Sequence, residues 1–505
     1  MEASSRQPRQ AALLLGLAFG FILAVGSGVA WMLARAGARR PVRILLVTPA
    51  QGPASGLDPA ECRAIGALVQ DHLEHFGGLA VTSVTELPAD LGPVRARPRA
   101  QVLVLEPRRE GQDLVLAYRE ASGNALGSGS AARWTREAAR PLPPAQAFAA
   151  FDRQMGLVPR ETPGYLTPRD PGRFWSLIRA TALRLQNDRM SEAARLARSV
   201  TEQEPDCATG WVLLGNIQYR RLLNHPSAFR AEQMEVEALL KRGLELAPGH
   251  PRGTLLLSLM NSDNGNQREA LSLLIQARRA QPGNPLLLTG LAYAARGAGL
   301  LALSRRAMDL RDSLTFPEYL PQAVDITCLY TGEIPRFEAS LRDRPGHLRN
   351  TTGVLAFYRG YLALVQGDRA RARAEFAAAR QAPHGYPNIL RLSEIFDLIL
   401  DGRRDEAWKA LRDFDQERLG MREPDGEFTI RLAEAYALLG DRASAMEMAT
   451  RAFARGFGCT AWYERSPLLA SLRDLPRWKA LLQHLRERQS LMEDTFPASL
   501  VENPG

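Results

Sequence analysis

Between Gly360 and Pro383 the chain reads GYLALVQGDRARARAEFAAARQAP, and this stretch constrains the fold more than any other. Apolar residues recur at helical spacing on both sides of Gly367-Asp368. Gly360, late in the first helix, leaves room for a second helix to pack closely. Gly367-Asp368 makes the turn, Ala372, Phe376 and Ala379 line the apolar face of the returning helix, and Pro383 stops it. A helix hairpin of this kind cannot bury its apolar face alone. It stacks on copies of itself with a period of about 34 residues.

The period recurs. Counting from Pro251 gives Gly265 at the turn, then Ala270, Leu274, Ala277 and Pro282; counting from Gly426 gives Ala433, Tyr436, Gly440, Ala445, Ala449 and Ala452. Trp211, Leu214, Gly215 and Pro248 fit a further copy with extra residues around Asn224 to Arg230. Weaker copies begin near Phe174, Pro285 and Asn388, while Pro317 to Gly346 is helical in pattern but fits the register badly. Over residues 173–459 the chain therefore resembles the tetratricopeptide-repeat (TPR) family. The resemblance implies a mainly α fold, a TPR helical-hairpin solenoid, whose groove binds protein.

In that register the first helix of each hairpin turns positions five, nine and twelve toward the concave groove. Those positions hold Val212, Asn216 and Tyr219; Thr289, Tyr293 and Arg296; and Phe357, Tyr361 and Leu364. Tyrosine and arginine on an apolar surface are the residue types that anchor a peptide or helix. The competing reading is that some of them pack against neighbouring helices. The lysine-asparagine clamp that some relatives use for carboxyl-terminal peptides is not visible.

Ahead of the array, residues 11–34 read AALLLGLAFGFILAVGSGVAWMLA without a charge. About 20 residues of helix cross a hydrocarbon core, so this segment reads as a single transmembrane helix after a short tail, residues 1–10. A cleaved signal peptide is the rival, against which stand the length of the run and the arginine in Ala34-Arg35-Ala36. Gly16, Gly20, Ala24 and Gly28 recur every four residues and offer a stripe for helix pairing, hence a possible homodimer. Orientation is contested: Arg35, Arg39, Arg40 and Arg43 follow the span and favour a cytoplasmic carboxyl-terminal side. Long domains translocate largely regardless of charge, however, and a short tail before one early span is the layout of an exported, anchored protein. The expected location is the inner (cytoplasmic) membrane of a bacterium, single-pass, with the soluble part periplasmic.

Residues 41–160 read as a small α/β domain on a mixed sheet. Arg43 to Thr48 is a buried-strand run, Asp58-Pro59 caps a helix with Ile65, Leu68, Val69, Leu73 and Phe76 on one face, and Leu79 to Val84 is a second strand. Gln101 to Glu106, Asp113 to Ala121 and a segment after Ser122-Gly123-Asn124 give three more, and Phe148, Phe151 and Met155 belong to a closing helix. With its hairpin RREGQDLVLAYREASGNAL and its FDRQMGL helix, this order is similar to the TolB-amino-terminal-like module that precedes TPR arrays in many bacterial membrane proteins. Relatives of that layout carry an output domain before the membrane; only ten residues precede the span here. Residues 161–172 form a proline-rich linker, residues 460–490 read as helices capping the last repeat, and residues 491–505 as a flexible tail.

Motifs for chemistry are sparse. The net charge of +9 comes from arginines scattered beside acids, as in Arg403-Arg404-Asp405-Glu406, which argues against a nucleic-acid surface. Cys62, Cys207, Cys328 and Cys459 lie far apart with no metal spacing. His72 and His75 sit three apart on one helix with no readable third ligand, and Gly127-Ser128-Gly129 lacks the lysine of a phosphate loop. No cofactor and no catalytic constellation is indicated. The expected function is a membrane-anchored interaction scaffold. The alternative is a sensory or regulatory subunit whose α/β module binds a small ligand and whose output domain is on a partner chain.

Overall fold

The computed structural model describes residues 42–134 and 166–502, less short breaks, the longest of them 343–351. The segment 11–34, with Gly16, Gly20, Ala24 and Gly28, lies outside the described residues, as do Phe148, Phe151 and Met155. Among the described residues no helix is long and apolar enough to cross a membrane.

The sheet is mixed. Strand β1 (Val42–Val47) lies between β2 (Leu79–Val84) and β3 (Ala100–Glu110), parallel to both. The antiparallel β4 (Asp113–Ser122) follows β3 and pairs with a two-residue β5 (Ala125–Leu126). It also pairs with β6 (Ser130–Trp134), a strand the sequence reading missed. The uninterrupted apolar run of β1 has a plain cause: both of its faces are covered. Ile44 and Leu46 pack with Cys62, Ile65, Val69 and Leu73 of helix α1 (Pro59–His75), while Leu45 and Val47 meet Val94, Val102, Val104 and Phe316. Asp58 and Glu61 close the start of α1 reciprocally, each side chain accepting from the other's backbone N–H at 2.7 and 3.1 Å.

Helices then follow in pairs: α2 and α3 (Pro171–Leu183, Met190–Gln203), α4 and α5 (Ala208–Asn224, Arg230–Leu246), α6 and α7 (Pro251–Asp263, Gln267–Ala280), α8 and α9 (Pro285–Ala298, Leu301–Leu314). Two short helices, α10 (Ile326–Thr331) and α11 (Ile334–Ser340), occupy the stretch that fits the register badly. Regular pairs resume with α12 and α13 (Thr352–Val365, Arg369–Gln381), α14 and α15 (Pro387–Leu400, Arg404–Leu419), and α16 and α17 (Gly426–Leu438, Arg442–Ala454). At the α12–α13 turn Gly367 has φ +82°, which only glycine adopts freely. The chain reverses there with Asp368 N–H on Ala363 O at 2.9 Å, and the Asp368 carboxylate caps α13 at Arg371 N, 3.0 Å. A Cβ at Gly360 would stand 2.9 Å from Phe376 Cδ1, so the two helices touch where the sequence places them.

The array turns back on itself. Its amino-terminal end holds the sheet: α1 packs on Phe174 and Ile178 of α2, and the opposite face of the sheet meets the end of α9. There Phe316 N–H donates to Thr82 Oγ1 at 3.2 Å, and the Arg97 guanidinium lies 5.3 Å from the Phe316 ring. At the other end α18 (Thr460–Arg465) and α19 (Pro476–Thr495) follow the last pair, with Trp478 packed on Tyr463. Residues 491–502 are not the loose tail expected from the sequence. They complete α19 and a short helical turn, and Met492, Phe496 and Val501 pack into the core of α7, α8 and α9. Arg278 fixes them, donating to Val501 O at 2.7 Å and Leu500 O at 3.2 Å. Apolar side chains spaced at 492, 496 and 501 needed a distant surface, which the repeat pattern does not reveal.

Candidate functional site: a buried charge ladder and its cavity

Where the array turns back, α16 lies against α8, and the junction is built from charges. Asn284 caps α8 by accepting from Leu286 N and Leu287 N, and along that helix Thr289, Tyr293 and Arg296 fall at intervals of four and three. Asp425 caps α16, accepting from Glu427 N at 2.9 Å. On α16, Glu427, Arg431 and Glu434 fall at i, i+4 and i+7, one stripe of a helix otherwise small and apolar.

The two stripes meet through a chain of hydrogen bonds. Arg296 holds Glu427 with two, Nε to Oε1 at 3.2 Å and Nη2 to Oε2 at 2.9 Å. The Tyr330 hydroxyl donates to Glu427 and accepts from Arg431 Nη2 at 2.7 Å. Arg431 Nη1 donates to the Tyr361 hydroxyl, which itself donates to Glu434 Oε2 at 2.6 Å. Trp462 Nε1 and Ser466 Oγ satisfy the other Glu434 oxygen, each at 2.9 Å. The Arg431 guanidinium also lies 4.2 Å from the Tyr361 ring centre. On the α8 side, Asp263 accepts from Tyr293 at 2.6 Å and Tyr219 at 3.1 Å.

Burial is nearly complete: Arg431 is 2% exposed and Glu434 0%. From Arg296 to Glu434 two arginines pair with two glutamates, as buried charge requires. Burial works to raise the Glu427 carboxyl, but Arg296, then Arg431 and the Tyr330 hydroxyl, hold it below its ordinary value. Burial pushes the hydroxyls of Tyr293, Tyr330 and Tyr361 well above theirs, with Arg431 opposing it at Tyr330 and Tyr361. These groups stay in one protonation state through the neutral range.

Beside the ladder opens a cavity of about 350 Å³, lined among others by Thr289, Tyr293, Arg296, Tyr358, Asp425 and Phe428. Tyr358 is buried with its ring edge-on to Phe337 and Phe357. Its hydroxyl, unlike those of Tyr293, Tyr330 and Tyr361, finds no hydrogen-bond partner among the described residues.

Of the nine groove positions, three reach this cavity: Thr289, Tyr293 and Arg296. The others are corrected by the structure. Val212 and Tyr219 are core between α4, α5 and α6, and Asn216 is buried beside them on α4. Phe357, Tyr361 and Leu364 are buried in the core of the carboxyl-terminal half, Phe357 stacked on Tyr361 with centroids 6.1 Å apart. Adjacent helices cover most of them: Val212 and Tyr219 lie under α5 and α6 and Phe357 against Phe376 of its own hairpin, while Tyr361 also meets α16 at the turn-back. Glu427, Arg431, Glu434 and Tyr358 escaped the sequence reading. The available signal was the charged i, i+4, i+7 stripe inside GEFTIRLAEAY, where an apolar face was due.

The four cysteines are free and buried, and among the described residues no group of three or more His, Cys, Asp or Glu could hold a metal ion. No family model matches the chain, and no curated protein matches it. Among solved structures it is similar to the crystal structure of the P58(IPK) TPR domain, at 11% identity, covering 65% of this chain and 99% of that one, with a TM-score of 0.18. A TM-score that low carries no argument about arrangement or function. The described residues form a mainly helical protein built of successive helix hairpins.

Proposed function

We propose that the chain is an interaction scaffold without catalysis of its own, which takes a protein partner at the cavity between α8, α12 and α16. Residues 11–34 anchor it in the inner membrane, with the folded part on the periplasmic side. The observation that carries this reading is the cavity itself. It gathers an aromatic ring with a free hydroxyl, a half-buried tyrosine and an apolar wall, the surroundings in which one side chain of a partner segment becomes an anchor. The rest of the reading rests on sequence: the uncharged 24-residue run AALLLGLAFGFILAVGSGVAWMLA, and arginines paired with acids across the helices, as in Arg391 with Glu394 and Glu417, which leave little basic surface for nucleic acid.

The test uses the full chain in detergent extracts, comparing proteins that co-purify with wild type and with Thr289→Trp, which fills the cavity from its half-exposed wall. Loss of one stoichiometric partner with unchanged helicity supports the assignment. An identical set of partners overturns it. Membrane fractionation of the full chain against one starting at Pro41, with protease added to spheroplasts, tests the anchor and the orientation.

A further inference from the structure

Far from that cavity, where the α/β module meets the array, three arginines from three successive hairpins gather around α1. Arg184 ends α2, Arg220 lies on α4, and Arg252 is in the first turn of α6. Asp71 of α1 is the carboxylate among them, and Arg252 takes it with two bonds, Nε to Oδ2 at 2.9 Å and Nη2 to Oδ1 at 2.6 Å. His250 stands beside Asp71, and its Nδ1 accepts from Gly253 N at 3.5 Å.

Arg184 and Arg220 are left over. Neither makes a hydrogen bond or ion pair among the described residues, and the Nε of each is shut from solvent without a partner. Both residues are half-buried. Arg296, Arg359 and Arg451, by contrast, each hold a carboxylate, and Arg278 and Arg488 hold backbone carbonyls. Among the described residues three guanidiniums face the one Asp71 carboxylate, an excess of positive charge. A half-buried positive pair with empty donors is costly unless an anion completes it.

We propose that Arg184, Arg220 and Arg252 form a binding site for an oxyanion of the phosphate class, held between α1 and the first helices of the array. An anion offsets the excess positive charge, and tetrahedral oxygens suit several planar N–H forks from different helices, where a single carboxylate would leave one fork empty. Burial, then repulsion from Arg252 and Arg220, holds the Arg184 guanidinium down to about 9, with Asp71 offsetting only part of this. That direction is what a site awaiting its anion should give. Because the donors come from α2, α4 and α6 around the helix of the sheet module, occupancy ties the module to the array. This inference stands apart from the partner cavity and does not depend on it.

The test is calorimetric titration of the full chain in detergent with inorganic phosphate and, separately, glycerol 3-phosphate, at ionic strength held constant with chloride. Saturable binding of either supports the site. Preference for the ester points to a phosphorylated small molecule, and equal binding to the free ion. The double change Arg184→Gln, Arg220→Gln should weaken binding by at least about tenfold. It should also leave the anion-free melting temperature unchanged or raised, because it removes two unpaired charges; a purely structural role would lower it. If that variant does not fold, Arg220→Gln alone serves, with the same expected direction. No saturable heat with either probe, or unchanged binding in the folded variant, overturns the proposal.

Discussion

The α12–α13 hairpin and the junction of α8 with α16 are both helix-on-helix contacts, and they are held by opposite means. In the hairpin, Gly360 admits the Phe376 ring, Ala372 and Ala379 complete a dry seam, and the partners lie a few turns apart in sequence. At the junction Arg296 reaches Glu427 across 131 residues, and the seam is a ladder of ions and hydroxyls joined by directed hydrogen bonds. Dispersion and burial tolerate small shifts; a chain of paired charges does not. The dry seam is repeated along the array, whereas the polar one fixes where the array stops and turns back.

The largest break in that contrast should come from Arg431→Met. It strands Glu434 and takes the shared donor from Tyr330 and Tyr361, and losing one partner of a buried pair costs about 3–5 kcal/mol. Adding Glu434→Gln should restore much of the urea midpoint, since the orphaned charge goes with it. A single variant within about 0.5 kcal/mol of wild type, the range of an ordinary surface change, would mean the ladder is not closed. Acid should loosen the same junction. The Glu427 carboxyl lies below its ordinary value of 4.5, so its contribution is complete above that pH and is lost as pH falls through the lower folded value. The stability gap between wild type and Glu427→Gln should narrow over that window.

Next in size is Gly360→Leu. The new Cβ starts 2.9 Å from Phe376 Cδ1 and 3.2 Å from Ala372 O, and overpacking of this kind costs about 1–3 kcal/mol. Because the seam is local, the loss should appear as a lower melting temperature with the α8–α16 junction intact, read by unchanged quenching of Trp462. A melting curve that does not move would show the dry seam to be as forgiving as a surface.

What was legible in the sequence follows the same division. Gly360, Gly367, Ala372 and Phe376 announce the hairpin because their contacts repeat at a fixed spacing. The misfit between Pro317 and Gly346 was also visible, and it is where the helices shorten to α10 and α11. The turn-back was not, because Arg296 and Glu427 share no period and no local pattern links Val501 to Arg278. Hence Tyr361 was read as groove when it meets Glu434, and residues 491–502 as tail when they are docked; Val212 and Phe357 are core for a nearer reason, covered by adjacent helices. The cavity was half legible: Thr289, Tyr293 and Arg296 came from the register, but Tyr358, next to Phe357 on α12, could only be found once the chain had closed.

Tyr358→Phe should have the smallest effect on stability and the most to say about function. The hydroxyls of Tyr330 and Tyr361 each donate to a buried carboxylate, so they belong to the ladder. That of Tyr358 has no partner among the described residues, and removing an oxygen that makes no hydrogen bond leaves nothing unsatisfied behind. Unfolding should therefore shift by no more than about 0.5 kcal/mol, the range of a neutral substitution. Partner binding should weaken all the same, by about tenfold if the hydroxyl makes one hydrogen bond in the complex. A stability loss as large as that of a ladder tyrosine would place Tyr358 in the junction and take the cavity's free donor away. Unchanged stability with unchanged binding would leave the cavity walls, and not their one open hydroxyl, to hold the partner.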